Sequence, residues 1–307
     1  MKGTPIQGLL ISMSFTIVTD TSANLSTAYL KANGVAVLPF KYSFGGEEKT
    51  CLDTERFDRE EAYAYYAAIK SGERVFTSQI TPGEYAEVFE PVLAAGQDIL
   101  FVSMSSGISG SYDSSAAAAE ELGAKYPARR IVAFDTLAAS LGEGLFVMHA
   151  VNCRAAGKSV DETAAFLSER RGRLCQIVLV EDLMHLHRGG RISAPKALLG
   201  TVLGIRPILK GDEEGHLVVR DKVRGRKKGL DYLANKYAEL VNREIDQTIC
   251  IAYTDCRDDA LLLGEMIRAA YEPKALMIER YEPVTGAHIG PGTVALFFEG
   301  PKGVRSM

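Results

Sequence analysis

The sequence predicts an α/β protein of two domains: an N-terminal α/β domain built on a parallel sheet, and a C-terminal α+β domain. Three observations carry this. Over the first half, short apolar runs alternate with amphipathic stretches, the pattern of strands joined by crossover helices. Past residue 172 that alternation gives way to closely spaced strands, a glycine pair and longer helices. At 307 residues and 47% hydrophobic composition, the chain can bury more than one core. The expected division is an extension at 1–13, an N-terminal domain at 14–172 and a C-terminal domain at 173–307.

Residues 15–19 form the first expected strand, followed by the polar turn Asp20-Thr21-Ser22-Ala23-Asn24 and a helix to Lys31. A strand at 35–40 precedes a hairpin at 41–50 turning on Gly45-Gly46. Asp53 or Thr54 caps a helix over 54–69, and Pro82 opens another that ends near Ala94. Strands at 98–103 and 130–134 are followed by helices at 109–122 and 137–155. After Gly157 come a helix at 160–170, a strand at 174–180 and a short helix ending at Gly189-Gly190. The remainder predicts a helix near 195–202, strands at 205–209 and 216–219, a helix at 225–241 and a strand at 248–253. A helix at 258–270 and strands at 274–279 and 293–298 complete it. Residues 1–12 read as a loose extension or a mis-assigned start, with Met13 directly before the first strand.

The formal net charge is −4, with both signs interspersed, so no nucleic-acid-binding face is expected. Five cysteines lack any C-x-x-C spacing, which predicts free thiols in a reducing compartment and hence a cytoplasmic protein. No apolar run approaches a membrane span.

Three hydroxyl-rich turns follow expected strands: Asp20-Thr21-Ser22, Ser105 to Ser111, and Asp135-Thr136 with Ser140. Ligands of open parallel sheets bind beyond the carboxyl ends of the strands, so these turns are expected to converge on one anion-binding crevice. Alternatively, each simply caps its helix. Gly189-Gly190 either terminates a helix or presents Arg191; Arg206, Arg224 and Arg226 lie downstream. His288 precedes Gly290-Pro291-Gly292, expected as a tight turn that aims the imidazole.

Sharper motifs fail. Ser111 stands where a nucleophile elbow needs its second glycine, and Asn152 replaces the first glycine of a phosphate loop. His185 and His187, two apart on a helix, point to different faces, so no metal site is expected.

Taken in order, Thr19-Asp20-Thr21-Ser22, Thr77-Ser78-Gln79, Ser105-Ser106 with Ser109-Gly110-Ser111-Tyr112, Asp135-Thr136, Glu181-Asp182-Leu183, Gly189-Gly190-Arg191-Ile192-Ser193, Val223-Arg224-Gly225 and His288 with Gly290-Pro291-Gly292 resemble the DegV family. That family includes the fatty-acid-binding subunits of bacterial fatty acid kinases, and the resemblance extends over almost the whole chain from Phe15. It implies a long-chain fatty acid as ligand between the two domains, no cofactor, and no catalysis by this chain. Thr77, Ser78, Ser109, Gly110 and His288 would hold the carboxylate. Asp20, Ser22, Ser105, Ser106, Asp135 and Thr136 would support it, and Arg191 and Arg224 would meet phosphate or a partner. The implied partner is a kinase subunit forming an acyl phosphate for phospholipid metabolism, with peripheral membrane contact. Where many members have Thr-Ser-Gln-Pro-Ser, this chain has Thr77-Ser78-Gln79-Ile80-Thr81, and Ser111 replaces a threonine. Residues 197–203 with Ile205, Ile208 and Leu209 are a candidate tail lining. Two other readings stay open: the substrate-binding subunit of a dihydroxyacetone-kinase-like enzyme, with His288 holding the substrate covalently, and a lipid-sensing interaction protein.

Overall fold

The computed structural model describes residues 15–192 and 204–307. The proposed extension, the helix near 195–202 and the candidate lining at 197–203 lie outside the described residues.

The chain begins with β1 (Phe15–Asp20), a 3₁₀ turn at 21–23, α1 (Thr27–Ala32) and β2 (Val35–Leu38). The hairpin β3 (Lys41–Phe44) and β4 (Glu47–Thr50) leads to α2 (Thr54–Arg56), which continues through a π-helical stretch into α3 (Ala62–Lys70). Asp53 caps α2 by accepting from the Arg56 N–H at 2.8 Å. Then come β5 (Phe76–Ser78), α4 (Pro82–Ala94), β6 (Asp98–Ser103), α5 (Ser111–Lys125) and β7 (Ile131–Asp135). Helices α6 (Leu141–Ala155) and α7 (Val160–Arg171) close this half. The second half runs β8 (Leu174–Leu179), α8 (Met184–Arg188), β9 (Ile205–Gly211), β10 (Leu217–Arg224), α9 (Arg226–Leu240) and β11 (Thr248–Tyr253). It ends with α10 (Arg257–Ala270), β12 (Ala275–Arg280), α11 (Pro283–Ile289) and β13 (Val294–Glu299).

The first half is an α/β unit. Its four-stranded sheet, ordered β2-β1-β6-β7, is parallel throughout. Chain direction switches between β1 and β6, so their carboxyl ends open a crevice there. A small antiparallel sheet, β4-β3-β5, flanks it. Strand β5, absent from the expected elements, pairs Thr77 with Tyr42. The second half carries a six-stranded sheet, β10-β9-β8-β13-β11-β12, antiparallel except for β11 with β12.

Alternation along β13 shows where the cores lie. Val294, Leu296 and Phe298 pack with α9 and α10, whereas Ala295 and Phe297 join a core continuous with the first half. With both faces covered, the central strands β8 and β13 are buried at every residue and mostly apolar.

Two elements differ from expectation. Helix α6 starts at Leu141, not Leu137, because Leu137 and Ser140 have φ of 54° and 56°, which no helix accommodates. The loop is held in this strained form by outside contacts. The Thr136 hydroxyl donates to Ser103 O at 2.7 Å, Ala138 O accepts from the Ser105 N–H at 2.7 Å, and Arg305 donates to Leu137 O at 2.6 Å. His288 lies on helix α11, an element not expected, and the expected Gly290-Pro291-Gly292 turn follows it. The sequence Pro-Val-Thr-Gly-Ala-His-Ile is poor in helix formers, so the helix owes its existence to its surroundings. The Glu282 carboxylate caps it by accepting from the Val284 and Thr285 N–H groups at 2.7 and 2.6 Å.

The described cysteines are all unbridged. Among the described residues no helix is long and apolar enough to cross a membrane.

Glu299, at the end of β13, is buried and ties the halves together. It accepts from His149 Nε2 on α6 and from Arg170 on α7, each at 2.8 Å. Glu299→Ala leaves Arg170 facing an unsatisfied interior and should lower stability by about 3 kcal/mol in urea unfolding. Glu299→Gln, whose one carbonyl oxygen can still accept from Arg170, should lose less; equal losses would contradict this role.

Candidate functional site

Thr77, His288, Ser109 and Arg191, brought from four separate segments, line one narrow cavity of about 70 Å³ between the halves. Its floor is the inner face of the six-stranded sheet, represented by Val178 and Phe297. Phe40, Met104, Leu217 and Val284 make the remaining wall largely apolar.

The polar end is built from the backbone outward. Strand β5 presents Thr77, whose Oγ1 lies 2.8 Å from His288 Nε2. Helix α11 carries His288 and is anchored from α3. The Tyr65 hydroxyl donates to Pro283 O at 2.7 Å, and the Tyr66 hydroxyl to Tyr281 O at 2.8 Å. The Tyr66 hydroxyl fits because residue 286 is glycine: a Cβ there would lie 2.0 Å from it.

Arg191 is set by the end of α8. The Arg191 N–H donates to Leu186 O at 2.9 Å and the Gly190 N–H to His187 O at 3.0 Å, with Gly190 at φ 73°. This is a Schellman cap, so helix termination and Arg191 presentation are one feature. Gly189 has a separate reason. A Cβ there would lie 2.6 Å from His288 Nδ1, so glycine lets α8 press against the imidazole. Burial, and then the Arg191 guanidinium, push the His288 pKa down to about 4. The imidazole is therefore neutral at pH 7.

Ser109 sits in the turn before α5, where its N–H donates to Ser105 O at 3.1 Å. Ser78 lines the cavity as well. Gly110 lies beneath Gln79, whose Oε1 would be 2.6 Å from a Cβ at that position. Gln79, quoted in the motif but left out of the expected site, lines the cavity too, as do Gln176 and Tyr281.

The supporting group is not in the cavity wall. Asp20 and Ser22 are buried against Glu143 of α6, with Ser22 donating to the Glu143 carboxyl. The Ser105 hydroxyl donates to Gly215 O at 2.8 Å, joining the β9–β10 turn to the first half. Asp135 accepts from the Ser106 hydroxyl at 2.6 Å and from the Leu137 N–H at 2.9 Å. Thr136 is occupied with Ser103 O. Of the three turns expected to converge on a crevice, Ser109 from the second and Ala139, just past Asp135-Thr136, line it. Arg224 is exposed at the end of β10 and away from the cavity. Ile205, Ile208 and Leu209 do not line it; Ile208 and Leu209 belong to the packed cores.

Thr77, Arg191 and His288 also border a second, wider cavity of about 440 Å³. It carries Arg74, Arg188 and His185 beside Glu73. Among the described residues no group of three or more His, Cys, Asp or Glu side chains could hold a metal ion.

Residues 14–300 match the family described as "Uncharacterised protein, DegV family". A DegV domain-containing protein of Clostridium perfringens is 38% identical over 287 residues, spanning 93% of this chain and 97% of its own. The fatty acid binding DegV family protein of Streptococcus agalactiae superposes with a TM-score of 0.80 at 28% identity, covering 94% of this chain and 100% of its own. A DegV family protein of Thermus thermophilus, whose structure is described by its fatty acid binding, superposes with a TM-score of 0.81 at 26% identity over 94% and 100%. With nearly its full length matched at this similarity, the chain belongs to the DegV family.

Proposed function

We propose that this chain binds a long-chain fatty acid by its carboxylate and presents it in the cytoplasm to a separate kinase, which forms the acyl phosphate. The observation that carries the reading is a largely apolar cavity whose polar lining includes the hydroxyls of Thr77 and Ser109, the His288 imidazole and the Arg191 guanidinium. A carboxylate accepts from hydroxyl and guanidinium donors, His288 fixing the Thr77 hydroxyl through Nε2, and an apolar cavity suits an acyl tail. Ser78 and the Gly110 backbone complete the head-group end. Burying a chain of roughly 16 carbons at about 0.8 kcal/mol per methylene gives about 12 kcal/mol before association costs. What remains is enough for a lipid that co-purifies. The two fatty-acid-binding relatives with this fold support the same reading.

Kinase presentation draws support from the second cavity. A phosphoryl donor arriving there would meet Arg74, Arg188 and Arg191 directly across from the head group. Arg224, exposed on β10, is then a contact for the partner and not for the ligand. The exposed Phe76 beside the arginine-lined cavity suits transient contact with partner or membrane. A covalent histidine adduct is disfavoured by geometry. Nε2 of His288 is engaged by Thr77, and its Nδ1 edge is closed by Gly189.

Mass spectrometry of denatured, freshly purified protein should release a long-chain fatty acid. Finding none, together with no binding on titration, would defeat the proposal. Ser109→Ala should weaken fatty acid binding about tenfold, the loss of one hydrogen bond to a charged group. Arg191→Ala should weaken binding but, at saturating fatty acid, leave a folded, loaded protein whose ligand a partner kinase phosphorylates poorly; undiminished acyl-phosphate formation would remove the role toward the kinase. NMR titration should show the His288 imidazole neutral from pH 8 down to about 5, and a midpoint near 6.5 would contradict its enclosure.

A further inference from the structure

Behind the Ser109 side of the cavity lies a buried polar cluster that carboxylate binding alone leaves without a role. Asp20 ends β1, Glu143 lies in α6, Tyr85 in α4 and Ser111 at the start of α5, and all four are inaccessible to solvent. The Ser109 hydroxyl donates to Ser111 Oγ at 3.1 Å, its inward-pointing state, and the Ser111 N–H donates to Ser109 Oγ at 3.2 Å. The Tyr85 phenol lies within electrostatic reach of Ser111 and of the Asp20 and Glu143 carboxyls. Yet its hydroxyl closes no hydrogen bond, and neither does Asp20 Oδ2. Buried polar atoms of this kind are costly, and phenylalanine would fill the place of Tyr85 without the penalty.

The carboxyls face each other in a medium that disfavours charge. Asp20 accepts from the Ser22 N–H at 2.8 Å, and Glu143 accepts from the Thr19 hydroxyl at 3.0 Å and from the Ser22 hydroxyl. The remaining charged group acting on the pair is Glu282 of α11, another carboxyl. Desolvation raises Asp20 to about 6 and Glu143 well above its ordinary range, so Asp20 is the first of the pair to lose its proton as pH rises.

We propose that Tyr85 and Ser111 form a polarity switch, set by the protons shared between Asp20 and Glu143, that decides whether the Ser109 hydroxyl donates into the cavity. Each hydroxyl has a single proton to donate. When the carboxyl pair is fully protonated, Tyr85 donates to Ser111 and Ser111 to Ser109. The Ser109 proton is then left to point at the ligand. When the pair loses a proton to solvent, the bare Asp20 Oδ2 attracts the Tyr85 hydroxyl. Ser111 turns to the phenol oxygen, and Ser109 turns its own proton inward to Ser111. No covalent bond other than the carboxyl O–H is broken; three hydroxyls rotate. The cavity then offers an anion one donor fewer. This inference rests on the carboxylate lying against Ser109, as proposed above.

The test is the dissociation constant of dodecanoate between pH 5 and 8, measured by isothermal titration calorimetry. His288 is neutral throughout most of this range and contributes little. Wild-type affinity should fall about threefold to tenfold as pH rises, the loss of one hydrogen bond. Tyr85→Phe, which removes a buried unpaired hydroxyl and should fold at least as stably, should flatten the profile. Asp20→Asn, neutral at every pH, should hold affinity near the acid-side value; if it fails to fold, Tyr85→Phe decides alone. Retention of the wild-type slope in folded Tyr85→Phe, or a flat wild-type profile, overturns the switch while leaving fatty acid binding intact. Absence of dodecanoate binding by the wild type at any pH overturns the binding proposal itself and the switch with it.

Discussion

Every residue of β13 is buried, and successive residues must satisfy two different cores. Phe298 closes one against α9 and α10, whereas Phe297 floors the cavity. A shift of one residue would exchange the two sets and turn Phe298 into the cavity. The register is fixed at both ends of the strand. Thr293 and Gly292 are held by Thr254 and Asp255, and Glu299 is held by Gln247, His149 and Arg170. Cavity shape and attachment of the two halves are thus consequences of a single strand's placement.

Most of the fold was legible because its elements carry strong periodic signals. The parallel strands β1, β6 and β7 and the helices between them follow from apolar runs and caps. What escaped lacks such signals. Strand β5 is three residues at a sheet edge with Phe76 turned to solvent, so it shows neither length nor alternation. Helix α11 is imposed by Glu282, Tyr65 and Tyr66 from outside its own sequence. The backbone turn at Leu137 and Ser140 is enforced by contacts from β6, the β6–α5 turn and Arg305, none of them local.

The candidate site divides along the same line. Thr77, Ser78, Ser109, Arg191 and His288 could be named from motifs, and the structure gathers them around one cavity. Asp20 and Ser22 lie a layer beneath. Hydroxyl-rich turns at strand ends mark the switch point of the sheet, but sequence does not say which groups face the opening and which face inward. Glu143 makes that decision: an acid on the buried side of α6, it draws Ser22 and Thr19 to itself. No motif announces it, although an acid two residues into an otherwise apolar helix start is a signal in hindsight.

Thr77, Arg191 and His288 are one side chain thick and border both cavities. Thermodynamic reciprocity then constrains whatever occupies them. If a ligand in the first cavity orders this partition and so tightens an occupant of the second, that occupant must tighten the ligand by the same factor. Loaded and empty forms would then present different faces to the surroundings without any movement of the fold, and a docking protein could tell them apart by the set of three side chains alone.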